Sequence, residues 1–254
     1  MSIKIVVPIS GGKDSQACLK LALEQYDKSE VLGLFCDTQF EHPLTYAHIE
    51  NMRDIYKIDI KKVSSGSVQD IVLKFKQFPT SRFRMCTDRL KIQPSKRFYR
   101  DLAENQGGFE VWLGMRTGES KQRAESYKNT ISQDLYAPHE LGKAFPKLLN
   151  KLGVWFRLPV VDWVESDIYE YLGSDMNPLY SQGSKRVGCF PCLASSDRNK
   201  EQNFSLGEFG ASQRVIVSEL EKKIGRSIWT SKGGAMRNNE DQDDLFQGCA
   251  FCAI

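Results

Sequence analysis

No apolar run in this sequence approaches the ~20 residues that a helix needs to cross a bilayer; the longest, 5–9 and 31–36, have the length of a strand. A membrane span is excluded on that ground. Charge of one sign is lacking as well, because 35 Lys and Arg against 32 Asp and Glu leave only +3, too small a surplus to name a polyanionic partner by itself. Internal repeats and low-complexity tracts are absent. With 41% hydrophobic and 26% charged residues among 254, the composition excludes intrinsic disorder, a collagen-like repeat and a coiled coil. The N-terminus enters a strand-like run at once and leaves no room for the charged and apolar regions of a signal peptide. A cytoplasmic protein is therefore expected.

Cysteine is sparse but grouped. Seven in 254 residues, about 3%, lies far below the ~8–10% of a secreted disulfide scaffold, and an odd count in a reducing compartment means thiols or metal ligands. Four of the seven form two Cys-x-x-Cys pairs, Cys189/Cys192 and Cys249/Cys252, a spacing that clamps one metal or cluster from a single turn. Cys18 falls on the apolar face of a predicted helix and Cys36 within a predicted strand, where small buried thiols are ordinary core residues.

Through residue 173, short β-branched apolar runs alternate with longer amphipathic segments, the pattern of a parallel sheet with crossover helices. Strands are predicted at 4–9, 31–36, 58–63, 109–115 and 155–161. Helices are predicted at 13–25, 43–56, 68–78, 94–106 and 167–172, the last capped by Ser166. Residues 1–173 are thus expected to form a doubly wound, Rossmann-like α/β domain on a mostly parallel sheet of about five strands. From 174 to 210 the chain is rich in Ser, Gly, Asn and Pro and reads as an irregular layer organised by something other than an apolar core. A helix at 212–224 follows, stopped by Gly225, and an acidic polar stretch leads to the last cysteine pair. Residues 174–254 are read as a C-terminal cysteine-containing subdomain.

The chemistry-bearing string is Ser10-Gly11-Gly12-Lys13-Asp14-Ser15, between the first strand and the first helix. Two glycines allow a tight turn that presents successive N–H groups, and the helix N-terminus adds about half a positive charge at the same spot. The loop is not a Walker A sequence, which would need Gly at Val7 and a hydroxyl residue at Asp14. The string resembles the PP-loop of the adenine-nucleotide alpha-hydrolase superfamily, whose members split ATP between its α and β phosphates. The resemblance implies that Ser10, Gly11, Gly12 and Ser15 cradle pyrophosphate, that Lys13 neutralises it, and that Asp14 helps to place Mg²⁺.

Further strings resemble the phosphoadenylylsulfate reductase family within that superfamily. Asp37-Thr38-Gln39, after the second strand, is similar to the family's Asp-Thr-Gly segment, with Gln39 where glycine is usual. Asp37 at a strand's carboxyl end suits a ribose or Mg²⁺ ligand, and equally a turn-forming aspartate. Gly114-Met115-Arg116-Thr117-Gly118-Glu119-Ser120-Lys121-Gln122-Arg123 is similar to the family's Gly-x-Arg-x-x-Glu-Ser-x-x-Arg string. Its two arginines, flanking Glu119, suit an α-phosphate or sulfate clamp, because guanidinium binds such oxygens bidentately.

Met85-Cys86 through Pro94, and Gly188-Cys189-Phe190-Pro191-Cys192 after Asn177-Pro178-Leu179-Tyr180, resemble the paired cysteine motifs of iron–sulfur adenylylsulfate reductases and of their single-cysteine relatives. Those reductases carry adjacent cysteines where this chain has Met85-Cys86. The resemblance implies a 4Fe-4S cluster on Cys86, Cys189 and Cys192, with Cys249 or Cys252 as fourth ligand or with one iron left open for sulfur transfer. Zinc fits less well, since 56 residues separate Cys192 from Cys249 against the ~15–20 of a zinc ribbon.

The family's reductases use a C-terminal cysteine in a Glu-Cys-Gly-Leu-His context and need no intact pyrophosphate-splitting loop. Here the loop is intact and the chain ends Gly248-Cys249-Ala250-Phe251-Cys252. The expectation is an ATP pyrophosphatase, forming AMP and pyrophosphate, that adenylates a nucleic-acid oxygen for sulfur insertion. The small enzymes of DNA phosphorothioation resemble it most, tRNA thiolation enzymes being of the same type, and a cysteine desulfurase or other sulfur donor is the implied partner. Two alternatives stand beside it: a sulfonucleotide reductase using Cys249 or Cys252, and a non-catalytic nucleotide-binding subunit with a structural cluster. The segment 74–100 interleaves Lys and Arg with Phe75, Phe78, Phe83, Phe98 and Tyr99, a pattern that suits phosphates and stacked bases and equally a solvated basic face.

Overall fold

The computed structural model describes residues 2–80 and 83–229. Five strands, β1 (Ile5–Ile9), β2 (Val31–Asp37), β3 (Asp59–Ser64), β4 (Phe109–Trp112) and β5 (Val154–Arg157), form one sheet in the order β3-β2-β1-β4-β5. Every pairing is parallel, so each connection must cross over. The crossovers carry α1 (Lys13–Gln25), α2 (Pro43–Tyr56), α3 (Val68–Phe75), α4 (Met85–Thr87) and α5 (Gln93–Gln106). Winding reverses between β1 and β4, and the crevice outside their carboxyl ends is where such a sheet offers a ligand site. The doubly wound α/β architecture read from the sequence is the one observed.

β1 and β2 are buried along their whole length, which is why both read as continuous apolar runs. Alternate residues feed opposite faces. Val6, Leu34 and Val111 pack with Tyr99 and Ala103 of α5 on one side, and Ile5, Val7 and Phe35 with Ala17 and Cys18 of α1 and Met52 of α2 on the other. Cys18 and Cys36 are buried core thiols, as expected. β3 is an edge strand whose Lys61 and Lys62 discourage further pairing.

Several boundaries differ from the sequence reading. Between β4 and β5 lie three short helices, α6 (Lys121–Tyr127), α7 (Pro138–Leu141) and α8 (Lys147–Lys151), whose few apolar positions give too little periodicity to read. After β5, α9 (Glu165–Leu172) starts two residues earlier than expected. Its first turn is closed by Asp167, whose carboxylate accepts the Val164 N–H at 2.9 Å, and not by Ser166. The predicted 94–106 helix is the end of a longer helical run from Met85, joined through a π-helical turn at Asp88–Ile92. Pro94 explains that turn, because a proline inside a helix lacks the N–H and crowds the carbonyl four residues before it, and a widened turn accommodates both.

The segment beyond residue 174 has more order than its composition suggests. It contains α10 (Asp197–Phe204) and α11 (Gly207–Ile224). Leu193, Phe204, Val217 and Leu220 from this segment join Phe40, Val72, Met85 and Leu90 in a third apolar cluster. The layer is therefore held by an apolar core that it shares with the α/β domain, contrary to the expectation of a layer organised by something else. Among the described residues, no helix is long and apolar enough to cross a membrane.

Two buried histidines on α2 make a pH prediction. His42 caps the helix, its Nδ1 accepting the Leu44 N–H at 3.1 Å, and His48 Nε2 lies 2.9 Å from Gln16 Oε1. Burial lowers both pKa values, with Asp175 opposing it at His48. As pH falls, the unfolded chain takes up these protons first, so stability is full above about pH 6.5 and declines below it. Urea midpoints should be lower at pH 5.5 than at 7.5, and His42→Asn, which keeps a capping acceptor, should narrow the gap. An unchanged midpoint would contradict this account.

Candidate active site

The chain turns from β1 into α1 within Ser10, Gly11 and Gly12. Gly11 takes φ +75°, and a Cβ there would stand 2.5 Å from Thr45 Cγ2, so both backbone and space require glycine. The turn is tied to itself: Ser15 Oγ accepts the Ser10 N–H at 3.2 Å and donates to the Gly12 carbonyl at 2.9 Å. From outside, Asn177 Nδ2 donates to the Gly11 carbonyl at 3.1 Å and the Tyr180 hydroxyl accepts the Lys13 N–H at 3.0 Å. The Lys13 side chain is 5% exposed, with Nζ 2.9 Å from Glu165 Oε1. Its ammonium also faces the rings of Tyr180 and Tyr169, 4.9 and 5.6 Å from their centroids.

The chain leaving β4 crosses this loop at Gly114, where a Cβ would lie 2.7 Å from the Asp14 carbonyl carbon and oxygen. That crossing sets Arg116 beside the loop. Its Nε donates to Asp14 Oδ1, and its Nη1 donates to the Trp163 carbonyl at 3.3 Å. A cavity of about 660 Å³ opens at the switch point, lined by Ser10, Gly12, Lys13, Asp14, Ser15, Gly114, Arg116 and Glu119. Its volume falls within the range of small-molecule sites.

Four predicted residues stand elsewhere. Gly11 lies beneath the turn against Thr45. Asp37 is the last residue of β2, and its carboxylate accepts from the Gln39 N–H at 2.8 Å and the Tyr46 hydroxyl at 2.7 Å, with Lys62 Nζ 3.2 Å away. These contacts make it the turn-forming aspartate, holding Gln39 at φ +54°, and not a wall of the cavity. Ser120 caps α6 by accepting the Arg123 N–H at 3.2 Å. Arg123 is fully buried in an ion pair with Glu119, so the expected two-arginine clamp reduces to Arg116, with Arg123 orienting Glu119 behind it.

Cys86, Cys189 and Cys192 line a second cavity of about 100 Å³. Arg84, Lys91, Lys185 and Arg186 also line it, and no Asp or Glu does among its described lining residues. Lys185, Arg186 and Val187 line both cavities and form their common wall. Cys189 pairs with Glu41 as an isolated bridge and lies 3.2 Å from Thr38 Oγ1, which donates to Glu41 Oε1 at 2.6 Å. Burial pushes the Cys189 thiol well up, with the Glu41 carboxylate adding to the rise and Lys91 opposing it.

Among the described residues, no three His, Cys, Asp or Glu side chains converge to hold a metal ion. A zinc ion needs all its thiolates about 2.3 Å from one point, whereas a cluster offers each thiolate its own iron. Three thiols line one cavity whose charged lining residues are all cationic, the donor type and charge that an iron–sulfur cluster takes. Cys249 and Cys252 lie outside the described residues.

Among its described residues, the basic segment does not form a stacking surface. Phe78 and Tyr99 are buried in the core and Phe75 and Phe98 pack against it, leaving Phe83 exposed; Arg82 lies outside the described residues. Glu41, Glu165 and Tyr180 had no assigned role in the sequence. No local pattern marks Glu165, which meets Lys13 only through the fold; Glu41 accepts from its sequence neighbours Thr38, Phe40 and Tyr46 and meets Cys189 through the fold. Tyr180 was visible in the Asn-Pro-Leu-Tyr string without a chemistry attached.

Comparison with known proteins gives a consistent picture. The model of the phosphoadenosine phosphosulfate reductase domain matches residues 4–195. An uncharacterised 37.8 kDa protein of Escherichia phage 186 is 23% identical over 238 residues, covering 74% of this chain and 66% of the relative. The phosphoadenosine 5'-phosphosulfate reductase of Salmonella choleraesuis is 24% identical over 181 residues, covering 68% and 64%. The chain thus spans just under two thirds of the length of the curated relatives it matches. Among solved structures, the phosphoadenylyl-sulfate reductase of Candida auris in its phosphate complex aligns over 74% of this chain and 82% of its own, with 16% identity and a TM-score of 0.47.

The Gly114 crossing can be tested directly. Gly114→Ala should push the β4 exit loop off the turn and weaken pyrophosphate binding at least about tenfold, a cost of ~1.4 kcal/mol. Asp37→Asn, which alters a turn away from the cavity, should leave that affinity within about twofold, less than ~0.5 kcal/mol, while lowering thermal stability. Calorimetric titration with pyrophosphate checks both, and the opposite ranking would return Asp37 to the site.

Proposed function

We propose that this chain, which belongs to the phosphoadenosine phosphosulfate reductase domain family over residues 4–195, splits ATP into AMP and pyrophosphate to activate an oxygen for replacement by sulfur. The observation that carries the reading is the shared wall. Residues 185–187 separate a phosphate-type cavity with an intact Ser-Gly-Gly-Lys-Asp-Ser loop from a cationic cavity lined by three thiols. A nucleotide activated in the first would have its reacting end beside sulfur chemistry in the second.

Each residue has a part in the chemistry. The acceptor oxygen attacks the α-phosphorus, the bond to the bridging oxygen breaks, and pyrophosphate leaves with that electron pair. Lys13 and the N–H groups at the start of α1 stabilise the leaving charge, and Arg116 stabilises the α-phosphate. Asp14, paired with Arg116 on the cavity wall, orients that guanidinium and is the carboxylate closest to hand for Mg²⁺. A sulfur nucleophile then displaces AMP from the activated carbon or phosphorus.

Cys86, Cys189 and Cys192 are the residues that would hold a 4Fe-4S cluster, with Cys249 or Cys252 as further candidates. When bound, such a cluster supplies the sulfur-handling chemistry. Arg84, Lys91, Lys185 and Arg186 compensate the negative charge of the thiolates around it. A nucleic-acid acceptor and a cysteine desulfurase as sulfur source complete the reading. The relatives named phosphoadenosine 5'-phosphosulfate reductase favour reduction of a sulfonucleotide as the second reading.

Anaerobically purified protein given ATP, Mg²⁺, a nucleic-acid acceptor and a sulfide source should release AMP and pyrophosphate. Lys13→Ala and Arg116→Ala should each lower that rate about 10²-fold or more. Sulfite release from a sulfonucleotide, with no pyrophosphate from ATP, would replace this reading with the second. Iron analysis of Cys86→Ala should show a clear loss, and full iron content would remove Cys86 from the ligand set.

A further inference from the structure

The groups that the loop offers to phosphate are already engaged inside the protein. The Lys13 N–H, at the first position of α1, donates to the Tyr180 hydroxyl at 3.0 Å. The Lys13 ammonium bonds Glu165 Oε1 at 2.9 Å. Both partners come from outside the loop, Glu165 from the start of α9 and Tyr180 from the segment that leads to Cys189. The ion pair is uneven in exposure: the Glu165 side chain is 59% exposed and the Lys13 side chain 5%. A carboxylate reaching in from solvent to a buried ammonium is held chiefly by that one contact. Tyr180 is close-packed, since a Cβ on Gly12 would stand 3.2 Å from its hydroxyl.

We propose that Glu165 and Tyr180 are positioning residues that compete with phosphate oxygens for the cradle and are displaced together when phosphate binds. The carboxylate takes the place of an anionic oxygen on the ammonium, and the hydroxyl takes that of an oxygen on the helix N-terminal amide. In this way a buried cation and a buried N–H remain satisfied between turnovers. The affinity of the cradle for phosphate is then what remains after these internal contacts are broken. This deepens the reading of the first cavity as a nucleotide-phosphate site and rests on it.

The test is calorimetric titration of the full chain with inorganic pyrophosphate, with and without Mg²⁺, in wild type, Glu165→Gln and Tyr180→Phe. Each variant removes one internal competitor, so pyrophosphate should bind about three- to tenfold more tightly. In ATP turnover KM should fall while kcat does not rise, a split that general structural damage would not produce. Glu165→Gln is an exposed change expected to fold normally, and it keeps the test decisive if Tyr180→Phe proves unstable. Unchanged or weaker affinity in Glu165→Gln overturns the proposal, and weaker binding confined to Mg²⁺-pyrophosphate would make Glu165 a metal ligand instead. Wild type that splits ATP beside variants of unchanged affinity sinks this inference alone. Tighter pyrophosphate binding with no AMP formed from ATP leaves it standing and sinks the proposed activity.

Discussion

One backbone crossing organises the ligand edge of this protein. The strand exit at Gly114 passes so close to Asp14 and Ser15 that a single methyl group would lie 2.7 Å from backbone atoms of Asp14. Two loops from neighbouring parallel strands are thereby fixed against each other at the switch point. The anion-cradling turn and the Arg116 guanidinium then share one geometry without a flexible linker between them. Such preorganisation is what phosphoryl chemistry asks of a protein, since little covalent work is left for side chains to do. The sheet supplies the rigidity: β1 and β4 are directly paired, Ile5 with Glu110 and Val6 with Val111, so their loops emerge side by side.

Charge is divided unevenly across the common wall. In the first cavity Lys13 is paired with Glu165 and Arg116 with Asp14, while Glu119 is held by Arg123 behind it. The second cavity carries Arg84, Lys91, Lys185 and Arg186 without a carboxylate among its described lining residues. Glu41, bridged to Cys189, is occupied by the Thr38 and Tyr46 hydroxyls and the Phe40 N–H. A cavity of mixed sign suits reversible exchange of one anion for another. A cavity of one sign suits a resident anion, whether thiolates or the charged group they ligate. Lys185 and Arg186, belonging to both, place positive charge along the path between them.

Much of this was legible in the sequence, for physical reasons that particular residues make plain. The central strands announce themselves because burial on both faces forces unbroken runs such as Ile5 to Ile9, and the glycines of the turn because no other residue tolerates φ +75° against Thr45. The short helices after β4 escaped because segments of four to seven residues carry too few apolar positions for a period to emerge. Asp37 and Arg123 do not line the cavity, for a different reason. A motif fixes residue types but not which way a side chain turns, and both carboxylate and guanidinium found partners within the protein. Long-range pairs such as Lys13 with Glu165 are invisible to any local pattern, since nothing near Glu165 marks it as the partner of a residue on α1.

Met85 shows how a departure from a family pattern acquires a structural meaning. Where the iron–sulfur reductases it resembles carry a cysteine beside Cys86, this chain places a methionine that is 5% exposed within the third apolar cluster, among Phe40, Val68 and Leu90. Cys86 and Thr87 face the cationic cavity, and Met85 does not line it. The adjacent position therefore anchors the start of the helical run to the core that also receives α10 and α11. A thiol there would leave that anchor short of a large flexible side chain and would have to turn from the core to reach the cavity. The loss of one ligand and the gain of one core contact are the same substitution. It leaves three thiols from the described residues at the cavity, so a fourth ligand, if a cluster has one, must come from beyond residue 229 or from outside the chain.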